Sequence, residues 1–395
     1  MNGTSHHNFI NLPHWQYPAK LPGLSGLYLN TVFRVLAVSL IGVFIPVFIF
    51  QTTRSWDSLI FYYLVCSLTT IGLVIPVAKL INKIGPDAAI AFGAITQFAN
   101  LILLIKLQDS QSYLFWAAIL SGITTPLHWQ SYHLAFSREC TRKKLTSQLA
   151  KNAIAGRAAS AVAPLAGGII ATIMGFSGLY LVAGVILVVS IIPVFFDQYN
   201  QKGSEVSWEK IKTTLQIKKL RPIWFGYFGS GIESAVYAIF WPLFLYFSFN
   251  NLEKIGLLST ISILISILVT GYIGKNGHQK EKRFFNFGLA TSLPSWIIRG
   301  VFSSFLILTF IDTVYLLTTQ FIWIPVGAIT YRWGRREARS FFILRSIMIQ
   351  SGLVFALLII YFFRKIGFTW QIIFPLGIFG LIIVKNFSYE LKEIK

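Results

Sequence analysis

The sequence predicts an all-α, polytopic membrane protein with twelve transmembrane helices, arranged as two six-helix bundles related by a pseudo-two-fold axis. Of its 395 residues, 55% are hydrophobic and only 12% are charged, about half the charged share of a soluble domain. Uninterrupted apolar runs of about 20 residues recur along the chain, the length that a helix needs to cross a bilayer. These runs are too long and too uniform for the alternating strands of a membrane barrel.

Hydropathy divides the chain into twelve predicted spans, and this even number places both ends of the chain on one side of the membrane. The predicted spans cover residues 27–50, 58–81, 86–107, 112–136, 146–174, 177–196, 220–248, 255–274, 283–309, 312–333, 340–363 and 369–387.

The spans fall into two halves around one long polar connector, which has the composition and length for a short amphipathic helix. The N-terminal segment has no basic residue before Lys20 and no apolar core, so it does not resemble a signal peptide. The predicted organisation is a cytoplasmic tail at 1–26, an N-terminal bundle at 27–196, a cytoplasmic linker at 197–219, and a C-terminal bundle with a short tail at 220–395.

The distribution of basic residues predicts the orientation. Of the 34 Lys and Arg residues, 26 lie on one side of the predicted topology, 5 lie on the other and 3 lie within spans. Cytoplasmic loops carry the excess of Lys and Arg, so both termini are predicted to be cytoplasmic in a cell membrane. The net charge of +20 does not indicate nucleic-acid binding, because the basic residues alternate with apolar runs rather than covering one soluble face.

The two halves match each other in sequence. The first and seventh spans correspond at a shift of 196 residues, which places Pro46 on Pro242. The fourth and tenth spans correspond at a shift of 194, which places Trp129 on Trp323. A nearly constant offset in two separate pairs of spans indicates a parallel repeat, whose solute site lies between the halves near the midplane.

The layout of twelve spans, cytoplasmic termini, central linker and basic loops resembles the major facilitator superfamily over about residues 25–390. The family's signature between spans 2 and 3, Gly-x-x-x-Asp-Arg-x-Gly-Arg-Arg, has a degenerate counterpart at residues 78–87. Lys83 and Gly85 match it and are expected to belong to a gating loop. Asn82 stands where the family has its acid, so the family's usual gating charge pair is in question.

Span 5 carries a second resemblance, at residues 163–168. The sequence Ala-Pro-Leu-Ala-Gly-Gly is similar to the Gly-Pro-x-x-Gly-Gly motif of the superfamily's proton-linked exporters, with Ala163 in place of the first glycine. The alternative is a face of small residues that allows close helix packing. The resemblance also implies a small-molecule substrate, alternating access and a central cavity walled by spans 1, 4, 7 and 10.

Glu233 in span 7 is the single acid that is predicted deep in the bilayer, with Tyr237 on the same helix face. A charge at this depth costs about 2.5–3.5 kcal/mol, so it usually faces a cavity or a partner. A carboxylate between an apolar environment and a nearby cation can exchange a proton near neutral pH. Glu233 is therefore a candidate for proton coupling, and an ion pair with Arg34 from the other half is the alternative.

Arg34 in span 1 corresponds by the repeat to a position one turn from Glu233. It could meet Glu233 across the pseudo-two-fold axis, or bind an anionic solute through two parallel hydrogen bonds. Arg157 in span 5 is a weaker solute candidate. Arg299 is placed near the middle of span 9 and is interpreted as structural, paired with Asp312.

Span 4 offers a polar and aromatic patch made by His128, Trp129, Tyr132 and His133. Solute binding or proton relay is one interpretation, and hydrogen-bonded packing is the other. The two histidines are five residues apart and diverge on the helix, so they do not make a metal site. Gln320 and Trp323 of span 10 are predicted to complete the cavity wall.

These patterns favour a secondary active transporter of a small solute, anionic or amphipathic, with protons as a candidate coupling ion. A flippase for a lipid-linked substrate and a membrane-embedded enzyme are the alternatives. An enzyme of that kind usually needs several acids or a metal cluster at the membrane face. We therefore expect no catalytic residues, cofactor or metal, and a monomer surrounded by membrane lipids.

Overall fold

The structure is a computed structural model that describes residues 25–139, 145–196, 206–276 and 280–391. Most of the predicted N-terminal tail and the first part of the predicted linker, residues 197–205, lie outside these ranges. Helices and short turns make up the described part of the chain, in which no β-strand occurs.

The N-terminal half is built from seven helices. They are α1 (Ser25–Ile41), α2 (Phe44–Thr53), α3 (Trp56–Ile84), α4 (Pro86–Ile105), α5 (Ser112–Glu139), α6 (Leu145–Ser160) and α7 (Ala163–Val189). A turn at Gly42 and Val43 separates α1 from α2 within the first span. Gly175 has a φ of 70° inside α7, and this left-handed residue divides the fifth span from the sixth.

Seven more helices follow in the C-terminal half. They are α8 (Trp208–Gln216), α9 (Arg221–Ala235), α10 (Trp241–Phe249), α11 (Leu252–Asn276), α12 (Glu281–Arg299), α13 (Phe305–Lys365) and α14 (Trp370–Val384). A π-helical turn at Val236–Phe240 joins α9 to α10. The predicted linker helix is present as α8, which contacts the middle of α13 through a hydrogen bond from Thr214 to Glu337.

The helices have the lengths and composition of an integral membrane protein. Among the described residues, nine helical segments are long and apolar enough to cross a membrane. One of them, Lys151–Phe195, has 45 residues, which suffices for two crossings. The more polar α5 and α12 add 28 and 19 residues. The helices therefore follow the order of the twelve predicted spans.

The element α13 covers both the predicted tenth span and the predicted eleventh span in 61 residues. It is not straight, because the chain reverses direction near its middle. The rings of Tyr331 and Phe342 lie 6.3 Å apart, whereas eleven residues of straight helix would separate them by about 16 Å. Gly334 allows this close return, because a Cβ atom there would lie 2.4 Å from the ring of Phe342.

The predicted boundaries of span 9 were wrong. Span 9 was placed at 283–309, but α12 ends at Arg299 and α13 begins at Phe305, after an extended Ser304. The residues from 300 to 309 are mostly apolar and carry no charge, so hydropathy could not reveal the break. Arg299 consequently lies at the end of its helix and not near the middle of a span.

The two halves contact each other closely between α7 and α11. A Cβ atom added to Gly256 of α11 would lie 2.3 Å from the carbonyl oxygen of Pro164, and one added to Gly168 would lie 2.6 Å from the carbonyl oxygen of Leu252. Residues 163–168 therefore belong to a packing contact between the halves. Small residues are what such close backbone approach requires.

Candidate functional site

A cavity of about 660 Å³ lies between the two halves, with a mostly apolar lining that includes several polar side chains. Its walls come mainly from α1, α5 and α6 of the N-terminal half and from α13 of the C-terminal half. Six of the predicted site residues line it: Arg34, His128, Trp129, Tyr132, Gln320 and Trp323. This volume is within the usual range for a site that encloses a small organic molecule.

Arg34 is the cationic centre of the cavity. Its side chain is only 8% exposed, and its buried Nη1 has no hydrogen-bond partner among the described residues. No Asp or Glu is found among the described residues that line the cavity. A buried guanidinium without a counter-charge is costly, and an anion in the cavity would supply the missing partner.

The predicted patch on α5 forms one continuous aromatic wall. The imidazole of His128 stacks on Tyr132 at 5.9 Å, and the indole of Trp129 stacks on His133 at 5.6 Å. Trp129 is 48% exposed although it lies inside a span, and its side chain borders the cavity. The buried Nδ1 of His128 has no partner in the described part of the chain. The wall thus offers ring faces together with one free polar atom.

Two residues of α6 complete the polar lining. Asn152 donates from Nδ2 to the Tyr132 hydroxyl at 2.7 Å. Arg157 lines the cavity and donates from Nη1 to Ser266 of the C-terminal half, also at 2.7 Å. Arg157 was predicted only as a weaker solute candidate and Asn152 was not predicted, although both are polar residues inside a predicted span.

One end of the cavity, predicted to be cytoplasmic, is closed by a bridge between the halves. Arg345 of α13 donates to Nε2 of His133 at 3.1 Å. Because Nε2 accepts, Nδ1 carries the ring hydrogen and donates to the Tyr331 hydroxyl at 2.8 Å. Arg339 adds a bond of 2.9 Å to the carbonyl oxygen of Ala78 at the end of α3. Opening this end must break these bonds.

The opposite end is also bridged between the halves. Asp57 of α3 accepts hydrogen bonds from Arg364 and Lys365 at the end of α13. Beside this ion pair, Trp56 packs against the rings of Phe247 and Trp370 at 6.0 Å and 5.6 Å. The cavity is therefore bounded by inter-half contacts at both ends.

Glu233 and Tyr237 do not line the cavity, contrary to the prediction. Glu233 is buried inside the C-terminal half, where its carboxylate accepts a hydrogen bond from the Tyr315 hydroxyl. Tyr237 lies in the π-helical turn and packs on Tyr315 with ring centroids 4.9 Å apart. Tyr315 was not singled out from the sequence, although it is three residues from Asp312 and on the same helix face.

The predicted Arg34–Glu233 contact is not formed in the structure. The cation that acts on Glu233 is Arg299 of the same half, while Arg34 faces the cavity. The repeat offset placed Arg34 and Glu233 at equivalent depths, but it could not show which side chains lie between them. The two residues occupy separate environments.

Arg299 forms the predicted ion pair with Asp312, at 2.6 Å and fully buried. The guanidinium also lies over the rings of Trp241, Tyr315 and Trp296, at 4.1 Å, 4.3 Å and 4.4 Å from their centroids. Arg–aromatic contacts of this kind are strongest when they are desolvated. A charged cluster thus lies beside Glu233, inside one half.

The remaining predicted residues are away from the cavity. Lys83 is exposed at the end of α3, and Gly85 has a φ of 84° where the chain turns into α4. A glycine is favoured at this left-handed position. In α11, Ser262 bonds to Thr313 at 3.1 Å, which joins α11 to α13 away from the cavity.

A membrane-embedded helical bundle with a solute-sized cavity between two halves has the architecture of a membrane transporter. The family profile described as Major Facilitator Superfamily matches residues 27–224. This match covers half of the chain, and the chain belongs to the major facilitator superfamily.

Solved transporter structures have the same fold. The human organic anion transporter MFSD10 (TETRAN) aligns with a TM-score of 0.67 at 10% identity, covering 91% of this chain and 98% of its own. A bacterial homologue of the iron transporter ferroportin, outward-facing, gives 0.66 at 14% identity, covering 93% and 98%. The outward conformation of the transporter FucP gives 0.66 at 10% identity, covering 92% and 98%. No curated protein matches the chain by sequence.

Family membership confirms the resemblance drawn from the sequence. It also favours a transporter over the membrane-embedded enzyme that was the alternative. At these identities the solved structures establish the fold and not the solute.

Proposed function

We propose that the protein is a secondary active transporter that moves a small anionic or amphipathic solute by alternating access. The single observation that carries this proposal is the buried Arg34 guanidinium at a cavity whose described lining has no carboxylate. An anionic group can bind Arg34 through two parallel hydrogen bonds, while the ring faces of Trp129 and Trp323 contact an apolar body. One solved structure of similar fold belongs to an organic anion transporter, which is compatible with this solute class.

The contacts at the two ends of the cavity are the proposed gates that open in turn during alternating access. The His133–Tyr331 bond closes the end that we propose faces the cytoplasm. The pairing of Asp57 with Arg364 and Lys365 closes the other end. Rocking of the two bundles would break one set of contacts while keeping the other. Lys83 and Gly85 lie in the turn between α3 and α4, at the cytoplasmic end in this orientation.

Glu233 is the proposed proton-coupling residue. It lies outside the cavity, so a proton on Glu233 and a solute on Arg34 would occupy different halves of the protein. The Tyr315 hydrogen bond and the nearby Arg299 favour the carboxylate, while the apolar surroundings favour the neutral acid. This balance allows a change of protonation to alter the packing of α9 against α13.

The test is transport by the purified protein in liposomes, where a monomer surrounded by lipid is the expected active form. We expect exchange of radiolabelled organic anions such as benzoate and adipate, driven by unlabelled solute on the other side. Arg34→Gln should abolish this exchange, and Arg336→Gln, which changes an arginine outside the cavity lining, should retain it. Exchange that is equally fast in Arg34→Gln would refute the proposed role of Arg34.

A further inference from the structure

The cavity contains a second arginine besides Arg34, at a neighbouring position of its lining. Arg157 of α6 lines the same cavity as Arg34 of α1. The two helices touch at the neighbouring residues, because a Cβ atom added to Gly156 would lie 3.6 Å from Val35. The two guanidinium groups therefore extend from one helix contact into one cavity.

Neither arginine has a carboxylate partner among the described residues. Arg34 has no hydrogen-bond partner at its buried Nη1. Arg157 uses one of its five N–H groups for Ser266, a neutral hydroxyl. Elsewhere in this protein, the fully buried Arg299 is paired with Asp312. The cavity thus holds two cationic side chains, and its described lining supplies no acid to neutralise them.

We infer that the cavity binds a dianion, with one anionic group at Arg34 and the second at Arg157. This inference rests on the proposed function and specifies the solute class of the same site. Two like charges that line one cavity inside the protein repel each other, and a monoanion neutralises only one of them. A dicarboxylate or an organic phosphate neutralises both, and guanidinium groups bind either kind of anion through paired hydrogen bonds.

Arg157 also connects the bound solute to the other half of the protein. Its bond to Ser266 joins α6 to α11, across the interface between the halves. A dianion would contact a guanidinium that is already bonded to the C-terminal half. A monoanion held at Arg34 alone would form a charged contact only with the N-terminal half. A dianion would be linked to both halves through Arg157, so we expect it to favour the movement between the halves and to exchange faster than the monoanion.

The experiment measures the affinity of the purified protein for matched pairs of anions at constant ionic strength, by calorimetry. The pairs are butyrate and succinate, hexanoate and adipate, and benzoate and terephthalate. We expect at least one dianion to bind about tenfold or more tightly than its monoanion, because one more charge-assisted hydrogen-bonded pair is formed. Arg157→Gln should remove this preference while retaining monoanion binding. Arg34→Gln should weaken both members of the pair.

Ser266→Ala is the matched control. It removes the hydrogen-bond partner of Arg157 but leaves the guanidinium in the cavity, so the preference for the dianion should remain. A structural role of Arg157 alone would make Ser266→Ala and Arg157→Gln behave alike. Arg157→Lys keeps the charge and serves as a second variant if Arg157→Gln is poorly folded.

The outcomes separate this inference from the proposed function. If the monoanion and the dianion of every pair bind equally tightly, and Arg34→Gln abolishes binding, the two-arginine site is overturned. The proposal that the protein transports anions through Arg34 would still hold. A dianion preference that persists in Arg157→Gln would also overturn it. If none of the six anions binds, both proposals are overturned.

Discussion

Tyr315 donates its hydroxyl hydrogen to the carboxylate of Glu233, inside the C-terminal half and away from the cavity that Arg34 lines. The bond joins α9, shortly before its π-helical turn, to the first part of α13. π-helical turns are rare and are frequent at functional sites. A change at Glu233 therefore acts on the junction of two helices rather than on the solute directly.

Glu233→Gln tests the coupling role. Glutamine keeps the size of the side chain and can still accept from Tyr315, but it cannot take up or release a proton. We expect solute uptake driven by a pH gradient to be abolished, while counterflow exchange of the same solute continues. Both are measured in liposomes with an imposed pH difference. Unchanged pH-driven uptake in this variant would remove Glu233 from the coupling mechanism.

Asp312→Asn tests the buried ion pair. Removing the carboxylate leaves the fully buried Arg299 without its counter-charge, a change that costs about 3–5 kcal/mol in typical proteins. We expect a marked loss of thermal stability in detergent, measured by intrinsic fluorescence. The double variant Arg299→Met with Asp312→Leu removes both charges and should be closer to the unmodified protein. Equal losses in the single and double variants would contradict an energetic role for the pair.

Gly256→Val tests the contact between α7 and α11. A Cβ atom at this position would lie 2.3 Å from the carbonyl oxygen of Pro164 in the other half, so the valine must push the halves apart. Overpacking of this kind costs about 1–3 kcal/mol, enough to shift a balanced conformational equilibrium several-fold or more. We expect a cysteine placed at Gln320 to react faster with a membrane-impermeant maleimide added outside the cell.

Gly271→Val is the control for this prediction, because it changes a glycine of the same helix where space is available. The nearest atom to a Cβ there is the Ile154 side chain at 4.0 Å. The labelling rate should be close to that of the cysteine variant alone. Equal acceleration by both valines would show that closure does not depend on the Gly256 contact.

A covalent link between positions 57 and 364 tests the proposed closure at the end of the cavity where Asp57 pairs with Arg364. These residues pair across the halves, so a short bismaleimide can join cysteines placed at both positions. The variant also needs serine in place of Cys66 and Cys140, so that only the two new cysteines react. We expect the link to stop transport, because this end of the cavity can no longer open. When the cross-linking reagent contains a disulfide, reducing that disulfide should restore transport. Each cysteine alone should remain active after the same treatment.

Much of the fold could be predicted because the bilayer dictates it. Apolar runs of bilayer length specify spans directly, and the linker helix, the small-residue packing face at residues 163–168 and the Arg299–Asp312 pair were all accessible from the sequence. The boundary of span 9 was missed because the segment around Val301 is uncharged and mostly apolar although the helix is broken there. Hydropathy measures burial in lipid and carries no information about backbone conformation.

Part of the cavity lining could be predicted from the sequence, because polar side chains inside a membrane span are costly. Arg34, His128 and Trp129 are unusual inside spans, and their cost in lipid marks them as cavity residues. The partner of Glu233 could not be found this way, because tyrosine is common in membrane helices and Tyr315 has no sequence feature that distinguishes it. Which polar residues meet depends on the packing of α9 against α13, and the sequence pattern does not determine that packing.

The five residues between α12 and α13 have a consequence for biogenesis. Arg299 ends α12 and Asp312 lies two turns into α13, so both charges of the pair belong to one helical hairpin. A single charged side chain raises the cost of inserting a helix by about 2.5–3.5 kcal/mol. If the two helices leave the translocon together, the arginine enters lipid already neutralised by its aspartate. Asp312 would then be needed when the nascent chain is integrated, before the rest of the bundle exists.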